Sequence, residues 1–91
     1  MKEAELAERL GATGQGDELL ALIDKLGLKR SFVAEKVLSG SPVTVSQIAM
    51  LWMGMPNKHD RKRVRQLLEA LAEAGLLAKA DDSGEAYQSP E

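Results

Sequence analysis

Ninety-one residues, 44% hydrophobic and 29% charged, are enough for one small globular domain with a single core. The chain has no cysteine, which excludes disulfides, thiolate metal sites and a cysteine nucleophile. Its three aromatics, Phe32, Trp52 and Tyr87, are too few for a platform that stacks single-stranded bases.

In chain order, Lys2 to Leu10 reads as a short helix with Leu6 and Leu10 on one face, and Gly11 to Gly16 as a linker of small residues. Asp17 is positioned to cap a second helix. Its apolar residues Leu19, Leu22, Ile23 and Leu26 fall at i, i+3, i+4 and i+7, and Gly27 stops it. A third helix is expected over Ser31 to Leu38, burying Phe32 or Val33 with Val37, before a brief extended piece at Pro42-Val43. Thr44 and Gln47 then have capping-box spacing, with Val43 and Ile48 as a hydrophobic staple. That fourth helix presents Ile48, Leu51, Trp52 and Met55 at helical spacing and ends at Gly54 and Pro56. Asn57 or Asp60 can cap the last helix. Its core face is Val64, Leu67, Leu68 and Leu71, and Gly75 fits the left-handed exit with Leu76 folding back. Leu77 to Ala80 and Glu85 to Ser89 flank the turn sequence Asp81-Asp82-Ser83-Gly84, which predicts a hairpin. Ser89-Pro90-Glu91 is expected to fray. Trp52 and Tyr87 are expected in the core with their polar tips at the surface, and Met50, Met53 and Met55 around Trp52 as core filling. The alternative for Met50 and Met53 is a partner-binding patch.

The order helix, extended piece, helix, turn, helix, hairpin resembles the winged helix-turn-helix family over roughly Lys29 to Ser89. Pro42-Val43-Thr44-Val45-Ser46-Gln47-Ile48-Ala49 is similar to the opening of that family's second helix. Leu67 to Leu77, reading LLEALAEAGLL, is similar to the exit of its recognition helix into the wing. The resemblance implies a mainly α fold, a winged helix-turn-helix with extra N-terminal helices and a C-terminal β-hairpin wing. It divides the chain into an N-terminal extension, residues 1–28, and a winged-helix domain, residues 29–91. Two departures from the family pattern are expected: a long connection from Met53 to Asp60, and an acidic wing tip carrying Asp81, Asp82 and Glu85. Phosphates would repel those acids.

Charge distribution points the same way. Asn57 to Gln66 holds five cations, Lys58, Arg61, Lys62, Arg63 and Arg65, against Asp60 alone. That local +4 sits in a chain of net −2, so the remainder sums to −6. Cations are unfavourable at a helix N-terminus, which already carries partial positive charge, so an anion is the expected partner. Rotation of about 100° per residue turns Lys62 and Gln66 outward, with Arg63 and Arg65 on the flanks. Glu69 and Glu73 follow toward the far end, matching a recognition helix whose N-terminal turns enter the major groove. Arg suits guanine and Gln suits adenine through bidentate contacts. The competing account is a solvated helix with surface partners such as Arg65–Glu69.

The expected function is double-stranded DNA binding by a regulator of transcription or an accessory factor. The helix at about 60–75 would read the major groove through Lys62, Arg63, Arg65 and Gln66, while Lys58, His59 and Arg61 hold phosphates. One such module makes few contacts, so a homodimer or larger complex is expected, with Leu6 to Leu26 as the dimerisation candidate. The rival is a winged helix used for protein–protein contact, and RNA binding by the same basic face is a third option. No catalytic constellation, metal set, cofactor motif or small-molecule site is evident, so an enzyme is not expected. His59 alone is insufficient as a ligand. Without a membrane-length apolar run or a signal-like N-terminus, the expected location is cytoplasmic.

Overall fold

The computed structural model describes residues 3–83 and 85–90. Lys2, Gly84 and Glu91, to which the sequence assigns a helix start, a turn position and a frayed end, lie outside the described residues. The protein is mainly helical with a small three-stranded antiparallel sheet. Helices α1 (Glu3–Gly11) and α2 (Gly16–Leu26) form a hairpin, followed by one short α turn, α3 (Arg30–Phe32). The chain then continues as a π turn over Val33–Val37. Strand β1 (Val43–Thr44) leads directly into α4 (Val45–Met53). The longest helix, α5 (Lys58–Glu73), precedes the strands β2 (Ala78–Lys79) and β3 (Ala86–Gln88).

One core unites all of these elements. Leu6 and Leu10 from α1 and Leu19, Ile23 and Leu26 from α2 join Val33, Val37, Ile48, Val64, Leu67, Leu68 and Leu71 in a single buried cluster. The division at residue 28 therefore does not separate two packing units. The N-terminal leucines are also not an exposed seam for a second copy: Leu6 and Leu10 are 0% exposed. Their helices present apolar stripes that are absorbed within the domain, α1 by α2 and the α3 segment, and α2 by α1 and α5.

Local signals act largely where the residues place them. Gly27 and Gly75 both take left-handed backbone, φ 87° and 86°. At the end of α5, Gly75 N–H donates to Ala72 O and Leu76 N–H to Leu71 O, a Schellman closure that turns the chain toward β2. Asp17 is not a cap. Helix α2 starts two residues earlier than an Asp17 cap would set it, after Gln15, which makes no side-chain capping bond, and Asp17 lies in the first turn beside the positive end of the helix. The third helical segment begins at Arg30, and Val33 rather than Phe32 is its fully buried member. The expected hairpin strands shorten to two and three residues, and β3 pairs on both edges. Val43 faces Tyr87 and Thr44 faces Ala86 on one side, while Ala78 faces Gln88 and Lys79 faces Tyr87 on the other. Among the described residues, no helix is long and apolar enough to cross a membrane.

Candidate nucleic-acid interface

The N-terminus of α5 is built by a complete capping box. Asn57 is the N-cap: its Oδ1 accepts the Asp60 N–H at 2.9 Å, and Asp60 Oδ2 accepts the Asn57 N–H at 3.1 Å. The reciprocal pair satisfies two otherwise orphan donors and places a buried carboxylate at the positive end of the helix. Two expectations change as a result. The connection between α4 and α5 is Gly54 to Asn57, four residues, rather than the long segment reaching Asp60. Lys58 and His59 are exposed first-turn helix residues, not loop residues.

With Asp60, Val64, Leu67, Leu68 and Leu71 buried, the polar residues of α5 divide by face. Lys58, Arg61, Lys62 and Arg65 follow i, i+3, i+4, i+7. With Val45, Ser46 and Glu85 they line an open cleft beside the start of α4. His59, Arg63 and Gln66 follow i, i+4, i+7 and form a second, separate stripe. All seven side chains are exposed. The sequence had grouped them by position along the chain, phosphate-holding residues first and base-reading residues after. The helix groups them by rotation instead.

Arg65 pairs with Glu85 across the cleft at 3.5 Å, not with Glu69 on its own helix. Lys58, Arg61, Lys62 and Arg63 make no ion pair with any described residue. Four cations on two turns of one helix thus keep their charge uncompensated.

Glu85 departs most from expectation. Rather than projecting from a wing tip, its Oε1 accepts both the Ser46 N–H at 2.9 Å and the Ser46 hydroxyl at 2.8 Å. It thereby serves the first turn of α4 alongside Thr44, whose hydroxyl accepts the Gln47 N–H at 3.0 Å. Thirty-nine positions separate Glu85 from Ser46, and no local pattern announces the contact. The tip itself is ordered by Asp81, whose Oδ1 accepts the Ser83 N–H and hydroxyl. These bonds hold the Asp81 carboxyl below its ordinary pKa.

A second exposed surface is apolar. Met50, Leu51, Met53 and Met55 on α4 and its exit are the large hydrophobics left in solvent among the described residues, with Met55 94% exposed. The expectation that Leu51 and Met55 share a core face with Ile48 and Trp52 is therefore corrected. Val45, Ile48 and Ala49 are buried, and Trp52 is only half-buried. Tyr87, by contrast, is wholly buried in the central strand. Its hydroxyl meets no hydrogen-bond partner among the described residues, instead of reaching the surface.

Among the described residues, no three His, Asp or Glu side chains gather as metal ligands. Comparison with protein-family models, with characterised proteins and with solved structures gives no match.

Proposed function

We propose that this protein is a winged helix-turn-helix module that binds double-stranded DNA, with the first turns of α5 in the major groove. The observation carrying this reading is the exposed cationic N-terminal half of α5, in which Lys58, Arg61, Lys62 and Arg63 have no ion pair among the described residues, set immediately after a four-residue turn from α4. A four-residue connection suits the helix-turn-helix motif. The order β1-β3-β2, with the strand before α4 added to the C-terminal hairpin, suits a wing.

In this reading Lys62 and Gln66, opposite the buried face, meet base edges with Arg63 beside them. Lys58, Arg61 and Arg65 hold phosphates on the α4 side and His59 on the other. Glu69 and Glu73 lie past the groove contacts, where they repel nothing. The test is fluorescence anisotropy with a labelled duplex across a salt series. The logarithm of affinity should fall against log salt with a slope of about −0.9 per neutralised phosphate. Replacing Lys62 and Arg63 together with Ala should leave the fold intact and abolish binding at moderate salt. Salt-insensitive or absent binding by the wild type would sink the reading.

The apolar surface of Met50, Leu51, Met53 and Met55 favours a second reading, a winged helix used in a protein assembly. Methionine-rich exposed faces adapt to varied partners. The two readings use different surfaces and are compatible in one regulator or accessory factor that acts in a dimer or larger complex.

A further inference from the structure

The basic cleft already contains one anion, and it belongs to the protein. Lys58, Arg61, Lys62 and Arg65 line it, and Glu85 is the only acid lining it among the described residues. Its carboxylate uses both oxygens: Oε1 on the N–H and hydroxyl of Ser46, Oε2 toward Arg65. An oxyanion held by a backbone N–H in the first turn of a helix, a hydroxyl and a guanidinium is bound as a phosphodiester oxygen would be. The remaining cations of the cleft have no partner among the described residues, so one carboxylate is far from neutralising it.

We propose that Ser46 and Arg65 form a seat for one backbone phosphate, and that Glu85 occupies it in the free protein and must be displaced when DNA docks. The proposal rests on the DNA-binding reading and adds its regulation. Glu85 acts as a built-in competitor that weakens nonspecific binding and swings its side chain out when a phosphate takes its place. Its backbone stays tied meanwhile, the carbonyl accepting the Val45 N–H at 2.8 Å and the N–H donating to the Ser83 hydroxyl oxygen at 3.1 Å.

The test uses the full chain and a labelled duplex of 16 base pairs or so, titrated by anisotropy between low and moderate salt. Three variants are compared with the wild type. Glu85→Gln keeps an acceptor for Ser46 but removes the charge. Glu85→Asp keeps the charge but shortens the reach to Ser46 and Arg65. Asp82→Asn removes an equal charge from the exposed tip and controls for net charge. If Glu85 competes for the seat, Glu85→Gln binds about fivefold more tightly than Asp82→Asn, the factor expected for one charge contact near 4 Å in water. Its salt slope stays that of the wild type, because the same phosphate occupies the seat in both complexes. Glu85→Asp also binds more tightly than the wild type, although net charge is unchanged. If Glu85→Gln matches Asp82→Asn in affinity, and Glu85→Asp matches the wild type, Glu85 is a structural cap and the competitor is overturned while DNA binding stands. If no protein in the set, wild type included, binds with salt dependence, the DNA reading falls and the competitor with it. Should Glu85→Gln melt early, Glu85→Asp decides alone.

Discussion

The leucines of α1 and α2 and the methionines around α4 have similar apolar character in sequence but opposite fates in the fold. Leu6 and Leu10 are buried where α1 packs on α2 and the α3 segment, and Leu19 and Ile23 where α2 also meets α5, while Met50, Leu51, Met53 and Met55 remain exposed. Leu51 is a leucine too and is 54% exposed, so side-chain type does not sort them. The difference lies in what faces them. Helix α4 buries Val45, Ile48 and Ala49, a narrow strip of small and β-branched residues, half-buries Trp52 and leaves Met50, Leu51 and Met53 open to solvent. An apolar residue is therefore a core residue only where another element closes over it. An apolar residue left uncovered by the domain marks where a partner can act.

That contrast can be broken most decisively in the core. Leu10→Ala is expected to destabilise the domain by about 2–5 kcal/mol, as should Leu68→Ala, because each leaves a cavity in the same small cluster. Met55→Ala should change stability by no more than about 0.5 kcal/mol. Chemical denaturation of the three variants measures both halves of the contrast. Equal losses at Leu10 and Met55 would mean that the N-terminal hairpin is not packed as described.

A smaller effect is expected at Tyr87, which is as buried as the leucines but carries a hydroxyl without a partner among the described residues. Burial, reinforced by the Glu69 carboxylate, raises its pKa above the ordinary value of 10.0. The folded protein therefore favours the neutral phenol. Stability from this group is fully present below pH 10, the unfolded value, and is lost as pH rises through the higher folded value. Tyr87→Phe should remove that alkaline loss. At neutral pH it should be neutral or stabilising, by about 1 kcal/mol, since an unsatisfied buried hydroxyl is deleted. Melting curves from pH 7 to 11 report both effects, and an unchanged alkaline slope in Tyr87→Phe would place the titration elsewhere.

The smallest expected change in stability sharpens the other side of the comparison. Met50→Ser combined with Met53→Ser should alter folding by less than about 0.5 kcal/mol. It should also abolish any concentration-dependent association that the wild type shows in sedimentation. Association that survives this change but is lost on replacing exposed polar residues of α1 or α2 would return the partner surface to the N-terminal hairpin.

Much of this fold was legible because local chemistry controls it. The Asn57–Asp60 box, the Thr44 cap, the Gly27 and Gly75 exits and the Val64-Leu67-Leu68-Leu71 face all follow from bonds and rotations within a few residues. The candidate site was legible as an inventory, since charge clustering picked out Lys58, His59, Arg61, Lys62, Arg63, Arg65 and Gln66, all of which are exposed on α5. Their sorting into two stripes was accessible in principle from the helical period, and it needed the correct starting residue.

By itself the sequence determined the order of the helices, the Thr44 cap and the Gly27 and Gly75 exits, which face of α5 is apolar, and that one segment of an acidic chain is basic. These properties depend on neighbours at most about four positions away, within reach of one helical turn. Tertiary structure alone decided that Leu6 and Leu10 join the core while Met55 does not, and that β1 lies against β3. It also decided that Glu85 reaches back 39 positions to Ser46 and across to Arg65. Each of these is a contact between segments distant in the chain. Its free energy depends on which surfaces the packed helices leave facing one another, and two-residue strands or a lone carboxylate carry no periodicity from which that could be read.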